Sequence, residues 1–74
     1  MNNNEQTANT TPSLSGELEE ASFISQSLSL PRRSVSAVLI LLDEGCTIPF
    51  ISRYRKERTG NLNEVQITDI SELY

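Results

Sequence analysis

Histidine and tryptophan are absent from this chain, and cysteine occurs once, at Cys46. A lone thiol excludes an intrachain disulfide. Without histidine, no cluster with zinc-ligand spacing can be assembled. Catalytic arrangements that turn on an imidazole are excluded on the same ground. Glycine is scarce, and the three present, Gly16, Gly45 and Gly60, are too far apart to form a phosphate-cradling loop. No Lys or Arg precedes Arg32, so the basic opening of a secretory signal is missing. The longest apolar run, Ala37–Leu42, is far too short to cross a bilayer. Asn9-Thr10-Thr11 fits a glycosylation sequon, which without a secretion signal is a chance match. The unpaired thiol suits a reducing compartment, so the expected location is cytoplasmic, with no membrane partner.

What remains is 74 residues with a formal net charge of −4. A chain of this size makes at most one small domain, and it has neither disulfide nor metal to reinforce a small core. The charge is unevenly placed. Before Arg32 there are acids only, namely Glu5, Glu17, Glu19 and Glu20. All six bases lie between Arg32 and Arg58, against Asp43, Glu44 and Glu57. Glu64, Asp69 and Glu72 make the end acidic again. A local basic stretch can act electrostatically even when the average is acidic.

Residues 1–14 are polar and Asn/Thr-rich, and they read as a disordered tail. From about Ser15, Leu18, Ala21, Ile24 and Leu28 recur at helical spacing, with Glu17, Glu19 and Glu20 expected in the first turn. Pro31 suits the start of a second helix and Gly45 the position just past its end. Within it Val35, Val38, Leu39 and Leu42 share one stripe, while Ile40 and Leu41 project elsewhere. A helix so nearly apolar all round requires cover on several sides. Thr47 can cap a third helix with Pro49 just inside it, running to Thr59-Gly60. Phe50, Ile51 and Tyr54 form its expected apolar face, and Glu57 can pair with Arg53. Asn63 and Gln66 match a capping box for a fourth helix, with Leu62 and Ile67 as its hydrophobic staple. The stripe Ile67, Ile70, Leu73 and Tyr74 is still running at the last residue. The expected fold class is therefore all-α, with short helices that form part of a larger helical region.

The stretch LLDEGCTIPFISRYRKERTG, residues 41–60, resembles the N-terminal signature of the Tex family, the bacterial transcription accessory proteins. The shared pattern reads LLDEG, one variable residue, T, an aliphatic, PFI, a small residue, RYRKE, one residue, TG. The following LNEVQITDI resembles the family's continuation into a longer helix, and looser similarity reaches back to about Leu30. The resemblance implies a helix-turn-helix-like region at the start of a large chain. Residues 15–74 would be that region, cut off within its last helix. It also implies later domains absent here: a ribonuclease-H fold, helix-hairpin-helix elements and an OB-type RNA-binding domain. The implied partners are RNA or DNA, through the parent protein, and the transcription machinery.

Four of the six bases, Arg53, Arg55, Lys56 and Arg58, fall within a single stretch. On one helix they could neutralise several phosphates, and they are the candidate nucleic-acid-binding residues. The plainer alternative is that they solvate a small helix while their stems cover apolar neighbours. Tyr54 could stack on an exposed base, although its place beside Phe50 favours a core position. Arg32 and Arg33 sit where a helix dipole disfavours cations, which hints at an anionic partner unless the side chains simply snorkel. Asp43 and Glu44 lack a third acid, and Cys46 lacks a base. No catalytic residue, cofactor, metal or small-molecule substrate is therefore expected, and the chain is not expected to be an enzyme. The alternative function is a structural scaffold, or a protein-interaction segment that packs against the rest of the parent protein.

Overall fold

The structure, a computed structural model, describes the backbone from Pro12 to Tyr74 and the side chains from Glu19 onward. Among the described residues the chain is all-α. Its helices are α1 (Pro12–Leu28), α2 (Arg32–Asp43), α3 (Ile48–Tyr54), α4 (Lys56–Thr59) and α5 (Glu64–Leu73). Most of the expected polar tail, and the side chain of Leu18, lie outside the described residues. Residues 12–14 of that tail are helical. Because α1 opens at Pro12 rather than near Ser15, its first turn contains no acid, and Glu17, Glu19 and Glu20 sit further along the helix. Pro12 supplies a fixed φ where the missing N–H costs nothing.

Three helices stop in the same way. After α2, the Gly45 N–H donates to the Leu42 carbonyl and the Cys46 N–H to the Leu41 carbonyl, with Gly45 at φ +92°. After α4, Asn61 donates to the Lys56 carbonyl past Gly60 at φ +73°. After α1, Leu30 donates to the Ser25 carbonyl, and the left-handed residue is Ser29 at φ +57°. This is the Schellman arrangement, which satisfies carbonyls that the helix itself cannot. Ser29 lacks the freedom of glycine. The local brace is the Ser25 hydroxyl, which donates to the Leu30 carbonyl at 2.6 Å.

The core joins Ala21 and Ile24 of α1, Val35, Val38, Leu39 and Leu41 of α2, Ile51 of α3, Leu62, and Ile67 and Ile70 of α5. Burying each large aliphatic side chain contributes about 1.5–3 kcal/mol. Helix α2 is the hub, packing against α1, α3, α4 and α5. Part of the cover that α2 requires is thus supplied within the chain: Leu41, off the main stripe, is fully buried because α2 has neighbours on several sides. Ile40 is not covered to the same degree and stays 37% exposed.

The largest departure lies in the basic segment, where one helix to Arg58 was expected. The chain instead leaves helical geometry at Arg55 (φ −128°, ψ 34°) and re-enters it for one turn. Packing explains the break. Helix α3 lies mainly against α5 and only lightly on α2, whereas α4 lies against α2, and the turn at Arg55 redirects the chain from one neighbour to the other. Thr59 fixes the second piece. It is fully buried, and its hydroxyl donates to the Lys56 carbonyl and accepts the Leu62 N–H, each at 3.3 Å.

Candidate nucleic-acid interface

The four basic residues straddle the α3–α4 corner. Thr47 starts α3 by accepting the Phe50 N–H at 3.3 Å, and Ile51 anchors the helix in the core. This orientation turns the aromatics outward. Contrary to the expected apolar face, only Ile51 of the three is buried, while Phe50 is half-buried to exposed and Tyr54 is 61% exposed. The two rings lie 5.3 Å apart between centroids, tilted by 46°. The Arg55 guanidinium sits 4.7 Å over the Phe50 ring and donates through Nη1 to the Tyr54 carbonyl at 3.0 Å. A cation–π contact at so open a site contributes about 0.5–1 kcal/mol, enough to bias one rotamer. The result is a surface stack of Tyr54, Phe50 and Arg55.

Arg53, Lys56 and Arg58 are exposed, and among the described residues none of their side chains has a hydrogen-bond or ion-pair partner. The expected pairing of Glu57 with Arg53 does not form, because the break at Arg55 removes the helical register that would align them. Glu57 and Arg58 instead line a groove with Pro31, Arg33, Ser34 and Gly60. The corner thus divides the cluster. Arg53 and Arg55 stand with the aromatics, and Arg58 faces the start of α2. Arg32 has a partner close by: its Nη1 donates to the Ser22 hydroxyl at 3.2 Å, tying α2 to α1.

Beside Phe50 a shallow depression of about 330 Å³ is lined by Glu44, Gly45, Cys46 and Thr47. Asp43, next to it in sequence, accepts the Tyr74 hydroxyl at 2.7 Å, a link between the ends of α2 and α5. Among the described residues no three potential metal ligands come together. No described helix is long and apolar enough to cross a membrane. The Phe50–Tyr54 contact follows the one-turn spacing readable in the sequence. The Phe50–Arg55 contact and the Arg33–Arg58 groove do not, since both depend on the corner.

Comparison with known proteins places this arrangement. Residues 18–74 match the model of the Tex-like protein N-terminal domain family. The transcriptional accessory protein Tex of Neisseria gonorrhoeae is 47% identical over 50 residues, covering 68% of this chain and 7% of that protein. The uncharacterized protein YdcI of Bacillus subtilis is 51% identical over 49 residues, 66% of this chain and 7% of its own length. The protein tex of Bordetella pertussis is 57% identical over 30 residues, 40% of this chain and 4% of its length. The chain therefore spans about 7% of the length of the first two of these relatives. No solved structure gives a significant match. With its signature residues set around the α2–α3 turn and the α3–α4 corner, the chain belongs to the Tex-like protein N-terminal domain family.

Proposed function

We propose that this domain serves a cytoplasmic transcription accessory protein as a non-enzymatic nucleic-acid contact, with the α3–α4 corner as the contacting surface. One observation carries the reading: an exposed tyrosine stacked on a Phe–Arg pair stands beside cations that have no partner among the described residues. Exposed aromatics provide stacking platforms for single-stranded bases, and neighbouring cations track the phosphates. In this reading Tyr54 stacks, Arg53 and Lys56 meet phosphates, Arg55 both stiffens the stack and adds charge, and Arg58 extends the basic track. Helix α2, the turn Glu44–Thr47 and α3 act as a helix-turn-helix-like unit. In support, the turn is four residues long and contains Gly45 in the left-handed region.

The test is the triple change Arg53→Gln, Arg55→Gln, Lys56→Gln, titrated with single-stranded RNA and duplex DNA at several salt concentrations. The expected result is weaker binding, with a salt slope reduced by about 0.7–0.9 for each phosphate that the variant no longer neutralises. Unchanged titrations would overturn the reading. A scaffold role is the second reading, favoured by the exposure of Phe23, Ile40, Val65 and Leu73. It predicts unaltered nucleic-acid titrations with altered stability in the same variant.

A further inference from the structure

Away from the aromatic stack, the groove of about 260 Å³ between the start of α2 and α4 combines features that normally hold an anion. Pro31 occupies the cap position of α2 and has no side-chain oxygen to offer. The amides of Arg32, Arg33 and Ser34 accordingly find no acceptor among the described residues. An uncapped helix start presents N–H groups and partial positive charge to whatever lies before it. Ser34 provides the independent sign. The residue is only 7% exposed, and its hydroxyl has no hydrogen-bond partner among the described residues, although buried hydroxyls almost always have one. That hydroxyl stands in the groove wall against Gly60, where an added Cβ would come within 3.0 Å of it. Arg33 and Arg58 flank the groove, and Glu57 is the one carboxylate in its lining.

We infer that this groove is a binding site for a phosphate group, held by the first amides of α2, the Ser34 hydroxyl and the guanidinium groups of Arg33 and Arg58. The site shares only Arg58 with the aromatic corner and does not rest on the function proposed above. Glycine at position 60 keeps the wall open, since any larger residue would press on the Ser34 hydroxyl. Glu57 weakens the site by its charge, leaving a net charge of one positive unit among the lining side chains. Either inorganic phosphate or a phosphate of a nucleic-acid backbone meets these requirements.

The experiment is a two-dimensional ¹H–¹⁵N NMR titration of the 74-residue chain with sodium phosphate, against sodium chloride at matched ionic strength. Saturable shifts confined to the amides of Arg32, Arg33, Ser34 and Gly60 are expected with phosphate only. The double change Arg33→Gln, Arg58→Gln should raise the half-saturation concentration about tenfold or more, whereas Glu57→Gln, a surface change that leaves the core intact, should lower it. A second titration, with short single-stranded RNA, separates the sources. Displacement of bound phosphate from the Ser34 amide assigns the site to backbone phosphates, and no effect there assigns it to free phosphate. Unsaturable shifts spread over Arg53 and Lys56 would overturn the site. So would a Glu57→Gln variant that binds phosphate no more tightly than the parent.

Discussion

Helix α5 buries two isoleucines three residues apart on one face, Ile67 and Ile70, whereas the two fully buried residues between Ile48 and Thr59, Ile51 and Thr59, sit on separate helices. Helix α5 starts with a reciprocal cap: Asn63 Oδ1 accepts the Gln66 N–H and Gln66 Oε1 accepts the Asn63 N–H, both at 2.8 Å. Local sequence specifies the start of α5, with its cap, a buried Leu62 just before it, and Ile67 and Ile70 of the expected stripe, whereas Leu73 and Tyr74 at the end of that stripe are exposed. The corner is specified from outside, by α5 on one side and α2 on the other. The segment richest in basic side chains is thus the one with least say over its own conformation. Its buried anchors are few and sit on separate short helices, which leaves the remaining side chains free to face outward.

Removing one anchor from each region should have the largest effect. Ile67→Ala and Ile51→Ala each delete a fully buried side chain and should cost about 2–5 kcal/mol. That is most of the stability a domain of this size possesses, so neither variant should show a cooperative melt by circular dichroism. Survival of Ile51→Ala with a normal melt would mean that the corner is not held through its core contact. A smaller effect separates two glycines of like backbone. Gly45→Ala meets open space and should lose about 1–2 kcal/mol for the left-handed backbone alone. Gly60→Ala carries the same burden plus the approach to Ser34 Oγ at 3.0 Å, and should melt at lower urea than Gly45→Ala. Equal midpoints would show that Ser34 yields freely. Asn63→Ala removes the side-chain half of the reciprocal cap and should cost about 1 kcal/mol, read as a shift of the urea midpoint.

Both caps, at Thr47 and Asn63, and the stops at Gly45 and Gly60 follow from side-chain chemistry within a few residues, and each appears where the sequence places it. The stripe Val35, Val38, Leu39 and Leu42 can be read from its period; the first three are buried and Leu42 is partly buried against the core. The break at Arg55 could not be read. RYRKERT contains neither Pro nor Gly, and its helical propensity is good, so only the demand of two different neighbours interrupts it. The expected Arg53–Glu57 pair fails for that reason, since the break lies between the two residues. Tyr54 lies before the break, on the same α3 as Ile51, and is exposed because only Ile51 of that face turns into the core. Leu41 escaped the stripe for a related reason, since a one-face pattern cannot describe a helix packed against all four of the others. The four basic residues were found by composition, but their division between the aromatic stack and the Arg33 groove required the fold.

The smallest expected effect on stability falls on the residue that matters most to the proposed contact. Tyr54 is largely exposed, and its ring partner is Phe50 at 5.3 Å between centroids. Tyr54→Ala should therefore cost only about 0.5 kcal/mol, the low end for an aromatic pair, in urea denaturation. The backbone carbonyl that receives Arg55 survives the substitution, and Arg55 still has the Phe50 ring beneath it, so the corner should keep its shape. If bases stack on Tyr54, the same variant should bind single-stranded RNA more weakly by about 1–3 kcal/mol, measured by fluorescence anisotropy. Tyr54→Phe should then restore binding, because stacking uses the ring and not the hydroxyl. A stability loss near that of Ile51→Ala, or rescue by leucine as complete as by phenylalanine, would instead make Tyr54 a packing residue and return the corner to the scaffold reading.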